Sequence, residues 1–123
     1  MFTTSRRLAI AATLATALIS APALAQELTG TLKKIKDTGV ITLGHRESSI
    51  PFSYYDDKQQ VVGYSQEMML KAVDAIKAEL KLAKLDVKLV PVTSENRITL
   101  VQNGAVDLEC GSTTNTTERQ KQV

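Results

Sequence analysis

The sequence is poor in the residues that usually mark a metal centre or a catalytic site. It has one cysteine, one histidine and no tryptophan. A single cysteine excludes a disulfide within the chain. We predict that Cys110 is a buried thiol at the end of a strand and not a nucleophile, because His45 lies in another segment. No phosphate-binding glycine loop, nucleophile elbow or clustered metal-ligand spacing is present, so we predict no catalytic residue, metal or cofactor.

A long uncharged apolar run occurs at the N-terminus and is not repeated elsewhere. Arg6 and Arg7 precede an apolar stretch over residues 8–22, and Ala23-Leu24-Ala25 follows it. This order is typical of a secretory signal peptide, so we predict that residues 1–25 are removed after export. The alternative is an uncleaved membrane anchor, for which the apolar stretch is short. No cysteine follows the cleavage site, and we expect a soluble product without a lipid anchor.

The positive charge of the chain comes mostly from the predicted signal peptide. The whole sequence has 15 Lys and Arg against 13 Asp and Glu, and the signal contributes two arginines and no acid. The remaining chain is therefore neutral overall. This balance argues against binding to nucleic acid or to a membrane surface, and each arginine needs a local explanation.

The remaining chain alternates strands with helices. Residues 26–30 form a linker, and residues 31–123 form the predicted domain. We predict strands at 40–44, 85–91 and 106–110 and a hairpin within 51–62. We predict helices at 31–36 and starting at Ser65, at 93–97 and at 116–117. A βαβαβ order predicts an α/β fold with a parallel or mixed sheet and right-handed crossovers. The last predicted helix is cut at Val123, which suggests a truncated chain.

Apolar spacing predicts which side chains form the core. Met69, Val73, Ile76 and Leu80 recur at helical spacing, and we expect them to form the buried stripe of the long helix. Alternation predicts that Leu85, Val87 and Leu89 all face inward from the second strand. Ser65 is the expected N-cap of the long helix.

Polar or basic side chains follow each of the three predicted strands: Arg46 after the first, Ser94 and Arg97 after the second, and Ser112, Thr114 and Arg119 after the third. Ligands of open α/β sheets bind outside the carboxyl ends of the strands, so these groups are candidates for one site. The guanidinium fork fits carboxylates, and three arginines would suit a ligand with two of them. The alternative is that each arginine pairs with a neighbouring acid, such as Arg46 with Glu47 or Arg119 with Glu118.

Two segments, GHRESSIPFSYYD and ECGSTTNTTERQ, together with the exported start, resemble the solute-binding proteins of polar amino-acid ABC transporters. The resemblance covers residues 31–123 and implies a periplasmic-binding-protein-like fold with two lobes. The chain would then hold most of the N-terminal segment of the first lobe and lack the second. The resemblance also implies a periplasmic location and a membrane permease as partner.

The resemblance assigns roles to the six candidates by position. Arg119 would hold the ligand α-carboxylate with Ser112 and Thr114. Arg46 and Arg97, with Ser94, would hold the side-chain carboxylate of glutamate or aspartate. The implied function is non-enzymatic capture of an acidic amino acid. Two alternatives are a dehydratase-like exported enzyme, with Glu47, Glu109 or Glu118 as acid or base, and a carrier for another polar amino acid such as glutamine.

Overall fold

A computed structural model describes residues 27–123. The predicted signal peptide over residues 1–25 lies outside this range. The elements in chain order are α1 (Gly30–Thr38), β1 (Val40–His45), β2 (Ser48–Ser49), β3 (Ser53–Tyr55), β4 (Val61–Val62), α2 (Tyr64–Glu79), β5 (Asp86–Pro91), α3 (Arg97–Gln102), β6 (Leu108–Glu109) and a 3₁₀ turn (Arg119–Lys121). None of the helices within residues 27–123 is long and apolar enough to cross a membrane.

The central sheet has the strand order β5-β1-β6, and both of its pairings are parallel. Leu43 of β1 lies between Leu89 of β5 and Leu108 of β6. Helix α2 belongs to the connection from β1 to β5, and α3 connects β5 to β6. The predicted βαβαβ arrangement with a parallel sheet is therefore confirmed.

A small antiparallel sheet, β2-β3-β4, is inserted between β1 and α2. It contains the predicted hairpin, whose turn is closed by Asp56. The Asp56 side chain accepts hydrogen bonds from the N–H groups of Lys58 and Gln60 at 2.8 and 2.9 Å. An aspartate that binds nearby backbone N–H groups stabilises such a turn.

The core lies between α1, α2 and the central strand. Ile35 of α1, Ile41 and Leu43 of β1, and the α2 stripe form one buried cluster. Met69, Val73 and Leu80 are buried and Ile76 is partly buried, so the predicted stripe is confirmed. Burying one such aliphatic side chain contributes about 1.5–3 kcal/mol to the free energy of unfolding.

The prediction for the second strand is wrong at two of its three positions. Val87 and Leu89 of β5 are each 40% exposed, whereas Leu85, just before the strand, packs against the core. β5 is one of the two edge strands of the sheet, and α2 packs over β1, β3 and β4. Alternation gives the face on which a side chain lies, but it does not say whether another element covers that face.

The predicted N-cap of α2 is also wrong. The helix begins at Tyr64, and Gly63 occupies the cap position with a φ of 116°. A β-carbon at Gly63 would lie 2.5 Å from the carbonyl oxygen of Phe52, so the close approach of the hairpin requires glycine there. Ser65 is one residue inside the helix, and its hydroxyl donates to the carbonyl oxygen of Gly111 at 2.7 Å.

The third strand is shorter than predicted, and its cysteine is not buried. β6 contains only Leu108 and Glu109, and Cys110 is exposed. The chain leaves the sheet after Glu109, and the carboxylate of that residue binds the following loop. The burial predicted for Cys110 is therefore wrong.

Candidate functional site

Arg97 is the most unusual charged residue of the described chain. It is the first residue of α3, and it is only 6% exposed. Its Nε and Nη1 atoms are buried and have no hydrogen-bond partner within residues 27–123. Such a group is costly, because a buried donor without an acceptor loses its hydration and gains nothing in return.

Arg97 lines a cavity of about 350 Å³ together with Arg119 and Thr114. The cavity lies between α3, β6 and the loop that follows β6. Arg119 is half-buried, and its Nη1 donates to the carbonyl oxygen of Thr114 at 2.8 Å. Thr116 fixes the backbone before this arginine, since its hydroxyl accepts the N–H of Arg119 at 3.2 Å. Two guanidinium groups therefore line one space of amino-acid size.

Arg46 lies outside that cavity, directly after β1. Its Nε donates to the Ser49 hydroxyl at 3.2 Å, and its Nη1 donates to the carbonyl oxygen of Val92 at 3.1 Å. The Ser112 hydroxyl lies 3.4 Å from that of Ser49. Arg46 and Ser112 are therefore brought together around Ser49, on the side of Gly111 that faces the end of β1.

Ser94 is exposed in the turn between β5 and α3. The turn is closed by its neighbours, because the Thr93 N–H donates to Asn96 Oδ1 at 2.8 Å and the Asn96 N–H donates to Thr93 Oγ1 at 3.2 Å. This reciprocal pairing places α3, and with it Arg97, at a fixed angle to β5.

Glu95 reports the positive field of this region. A hydrogen bond from Thr93 is the main cause that lowers the pKa of the Glu95 carboxyl, and the charges of Arg46 and Arg97 lower it further. Glu95 is fully exposed, so this effect is screened by solvent. Two of the candidate arginines thus act on one carboxylate at the turn between them.

The local ion pairs considered as an alternative are not formed. The ion pairs of residues 27–123 join Lys33 to Asp37, Lys34 to Asp107, Lys84 to Asp86 and Lys121 to Glu118. All four ion pairs use a lysine, so Arg46, Arg97 and Arg119 form no ion pair with an acid of residues 27–123.

The structure thus divides the six predicted residues into two groups. Arg97, Thr114 and Arg119 share the cavity, Arg46 and Ser112 meet at Ser49, and Ser94 stands apart at the turn. Sequence reasoning did not assign roles to Ser49, Ser65 or Gly111, which connect the groups. No sequence pattern distinguishes them, because serine and glycine are common at the ends of strands, at the starts of helices and in loops.

No metal site accompanies these residues. Within residues 27–123, no three histidine, cysteine, aspartate or glutamate side chains come close enough to hold a metal ion.

The chain is similar to proteins of known function. Residues 41–123 match the bacterial extracellular solute-binding proteins, family 3. The L-glutamate/L-aspartate-binding protein of Pseudomonas aeruginosa is 63% identical over 108 residues, which cover 87% of this chain and 36% of that protein. The glutamate/aspartate import solute-binding protein of Escherichia coli is 57% identical over 116 residues, which cover 94% of this chain and 37% of that protein.

A solved structure gives the same result for the fold. The cysteine-binding protein of Campylobacter jejuni superposes with a TM-score of 0.66 and 27% identity, over 77% of this chain and 37% of that one. This chain spans little more than a third of the length of the relatives that it matches. With a matched profile over residues 41–123 and a βαβαβ sheet common to its neighbours, the chain belongs to the bacterial extracellular solute-binding proteins, family 3.

Proposed function

We propose that the protein is a non-enzymatic solute-binding protein that captures glutamate or aspartate and delivers it to the permease of an ABC transporter. The observation that carries the proposal is Arg97, which has two buried nitrogens without a partner within residues 27–123 and which lines a cavity together with Arg119. The two relatives named above, which carry glutamate and aspartate in their names, support the same ligand class.

The burial of two Arg97 nitrogens without a partner within residues 27–123 costs free energy. A buried charge without a partner is tolerated where a ligand supplies the missing charge, because the folded site then gains a strong charge-assisted hydrogen bond. A carboxylate has the charge and the paired acceptors that a guanidinium fits. The second arginine of the cavity extends this preference from one carboxylate to two.

The proposed division of roles follows the resemblance by position and crosses the two groups of residues. Arg119, with Ser112 and Thr114, receives the α-carboxylate common to all amino acids. Arg97 and Arg46, with Ser94, receive the side-chain carboxylate. Arg46 supplies a guanidinium held by Ser49 and by the carbonyl oxygen of Val92, so it is oriented before the ligand arrives.

The enzyme alternative gains no support from the carboxylates that it would need. Both oxygens of Glu109 accept hydrogen bonds from the adjacent loop. Glu118 is exposed and lies 3.6 Å from the Lys121 ammonium, and Glu47 is exposed. A general acid or base needs a poised group at the ligand, and none of these three is placed as one.

Calorimetric titration of the full-length gene product with glutamate, aspartate and glutamine tests the proposal. We expect saturable binding of both acids, with glutamine weaker. Binding of glutamine in preference to both acids would overturn the assignment of the side-chain subsite, and absence of binding to all three would overturn the proposal as a whole.

The proposed location is the periplasm, after cleavage between Ala25 and Gln26. Mass spectrometry of the exported protein tests it, and retention of residues 1–25 would contradict it. The lack of a cysteine after the cleavage site supports a product free of a lipid anchor.

A further inference from the structure

Glu109 is an acidic residue within a basic site, and its hydrogen bonds go to the loop that follows its own strand. It is the last residue of β6, and it lines the cavity with Arg97 and Arg119. Its Oε1 accepts the backbone N–H of Gly111 at 2.8 Å, and its Oε2 accepts the hydroxyl of Thr113 at 2.6 Å. The carboxylate therefore binds the loop that follows its own strand.

This choice of partners is informative because two arginines are available nearby. Within residues 27–123 no ion pair joins Glu109 to an arginine. A carboxylate paired with Arg97 or Arg119 would occupy the place of an anionic ligand. By binding loop donors instead, Glu109 keeps its charge close to the site without neutralising either guanidinium.

The loop that Glu109 binds is fixed at a second point. The carbonyl oxygen of Gly111 accepts the hydroxyl of Ser65, which is buried in the first turn of α2, at 2.7 Å. Gly111 is thus held through its N–H from β6 and through its carbonyl from α2. A two-point anchor of this kind sets both the position and the direction of the residues that follow.

Gly111 also contacts the other half of the candidate site. A β-carbon there would overlap the Arg46 side chain, so the absence of one lets the aliphatic part of Arg46 lie against the loop backbone. The Glu109 side chain also lies close to β1, because a β-carbon at Gly44 would be 3.2 Å from Glu109 Cγ. The loop with Ser112 and Thr114 is therefore packed directly against the arginine of the second group.

We propose that Glu109 is a positioning residue for ligand binding: its carboxylate, with Ser65, fixes the loop over residues 110–114 so that Ser112 and Thr114 are ordered before an amino-acid carboxylate arrives. The inference rests on the proposed function, since it assigns Glu109 a role in that same site. Ordering a loop beforehand raises affinity because binding no longer has to order it.

The substitution Glu109→Ala removes both loop contacts, and Glu109→Gln keeps one carbonyl acceptor for the Gly111 N–H. We expect Glu109→Ala to weaken glutamate and aspartate binding by the same factor, roughly tenfold. In that variant the entropic cost of ordering Ser112 and Thr114 reduces the free energy of ligand binding. Glu109→Gln should weaken binding less. An equal loss for both acids is expected because Ser112 and Thr114 would contact the α-carboxylate, which is the same in glutamate and aspartate.

Thr113 provides a milder and independent test of the same contact. Thr113→Val removes the hydroxyl with little change in shape, and Thr113→Ser retains it. We expect the valine variant to weaken binding and the serine variant to restore it. Because Glu109 and Thr113 act through one hydrogen bond, their effects on the dissociation constant should be less than additive in Glu109→Ala/Thr113→Val.

The measurements are calorimetric titration with both acids, the melting temperature, and amide hydrogen exchange at residues 110–114, all in the full-length gene product. The proposal predicts weaker binding by the folded variant and faster loop exchange without ligand. A lower melting temperature with unchanged affinity at a temperature where the variant is folded would show a structural role only and overturn the proposal. Unchanged affinity in both Glu109→Ala and Thr113→Val would also overturn it, whereas an unsubstituted protein that binds neither acid would instead refute the proposed function.

Discussion

Arg46 lies against the backbone of Gly111 so closely that a β-carbon on the glycine would overlap Arg46 Cγ and lie 3.2 Å from Cδ. Residues from the ends of β1 and β6 are thus in direct contact beyond the sheet. This contact links the position of Arg46 to the loop that carries two other candidate ligand-binding residues, Ser112 and Thr114.

Gly111→Ala tests this contact. The added methyl group must displace either Arg46 or the loop, and overpacking of this kind costs about 1–3 kcal/mol in the free energy of unfolding. We expect chemical denaturation to show that loss, together with weaker binding of glutamate. In the double variant Gly111→Ala/Arg46→Ala the overlap with Arg46 is absent and the 2.8 Å approach to Glu109 Oε1 remains, so part of the stability should return. Equal losses in the single and double variants would show that Arg46 is not the residue that the methyl group meets.

Asp107 is predicted to matter for the stability of the fold. Its side chain is 2% exposed, with Oδ2 accepting the Thr42 N–H at 2.9 Å and Oδ1 accepting the Lys34 ammonium at 2.8 Å. Asp107→Ala leaves the Thr42 N–H without its acceptor and should cost about 2–3 kcal/mol in the free energy of unfolding.

The matched control is Asp37→Ala, which removes an exposed ion pair with Lys33 and should cost about 0.5 kcal/mol. Urea denaturation of both variants measures the difference. Similar losses in the two variants would contradict the importance of burial at Asp107.

Glu95 predicts a pH dependence at the turn between β5 and α3. The pKa of its carboxyl is lowered below 4.5 in the folded protein, first by the hydrogen bond from Thr93. A carboxyl whose pKa is lower in the folded state than in the unfolded state stabilises the fold at a pH above the unfolded pKa. That contribution is lost as the pH falls through the folded pKa. Thermal melts of the unsubstituted protein and of Glu95→Gln should therefore differ by a constant amount near pH 7 and converge below pH 4.5. Parallel curves across the whole range would contradict the prediction.

The arginines of the two groups should differ in their effect on ligand choice. Arg119→Ala should weaken glutamate, aspartate and glutamine alike, because all three carry the α-carboxylate. Arg46→Ala should weaken the two acids while reducing their advantage over glutamine. Titration with the three ligands measures both effects, and loss of the acids alone in Arg119→Ala would reverse the assignment.

The sequence was sufficient for the fold where local pattern and packing agree. Met69, Val73 and Leu80 follow a helical stripe, and helix α2 buries them as expected. Val87 and Leu89 follow an equally good alternation but remain exposed, because burial at an edge strand depends on a cover that alternation does not encode. The prediction that Cys110 is buried was wrong because the strand ends at Glu109, one residue before it, and the apolar pattern does not mark that end.

The candidate residues were chosen from the sequence, but their arrangement could not be predicted from it. The rule that ligands bind outside the carboxyl ends of strands predicted Arg46, Arg97 and Arg119 as candidate ligand-binding residues. It could not tell that two buried nitrogens of Arg97 have no partner within residues 27–123, or that Arg46 lies outside the cavity, because both depend on side-chain packing between elements distant in sequence.

The central claim is that the buried guanidinium of Arg97 is reserved for a carboxylate ligand. Arg97→Met keeps much of the side-chain volume and removes the charge, so it should not lower the melting temperature of the ligand-free protein. Binding should weaken by about 2–5 kcal/mol, or one and a half to three and a half decades in the dissociation constant for glutamate. The control is Lys58→Met at the exposed hairpin turn, which also removes one positive charge.

Calorimetric titration of Arg97→Met with glutamate, in the full-length gene product and beside its melting curve, is the most direct test. The account predicts lost or severely weakened binding with thermal stability retained, and the binding of Lys58→Met unchanged. Binding of glutamate by Arg97→Met as tight as that of the unsubstituted protein would contradict the account.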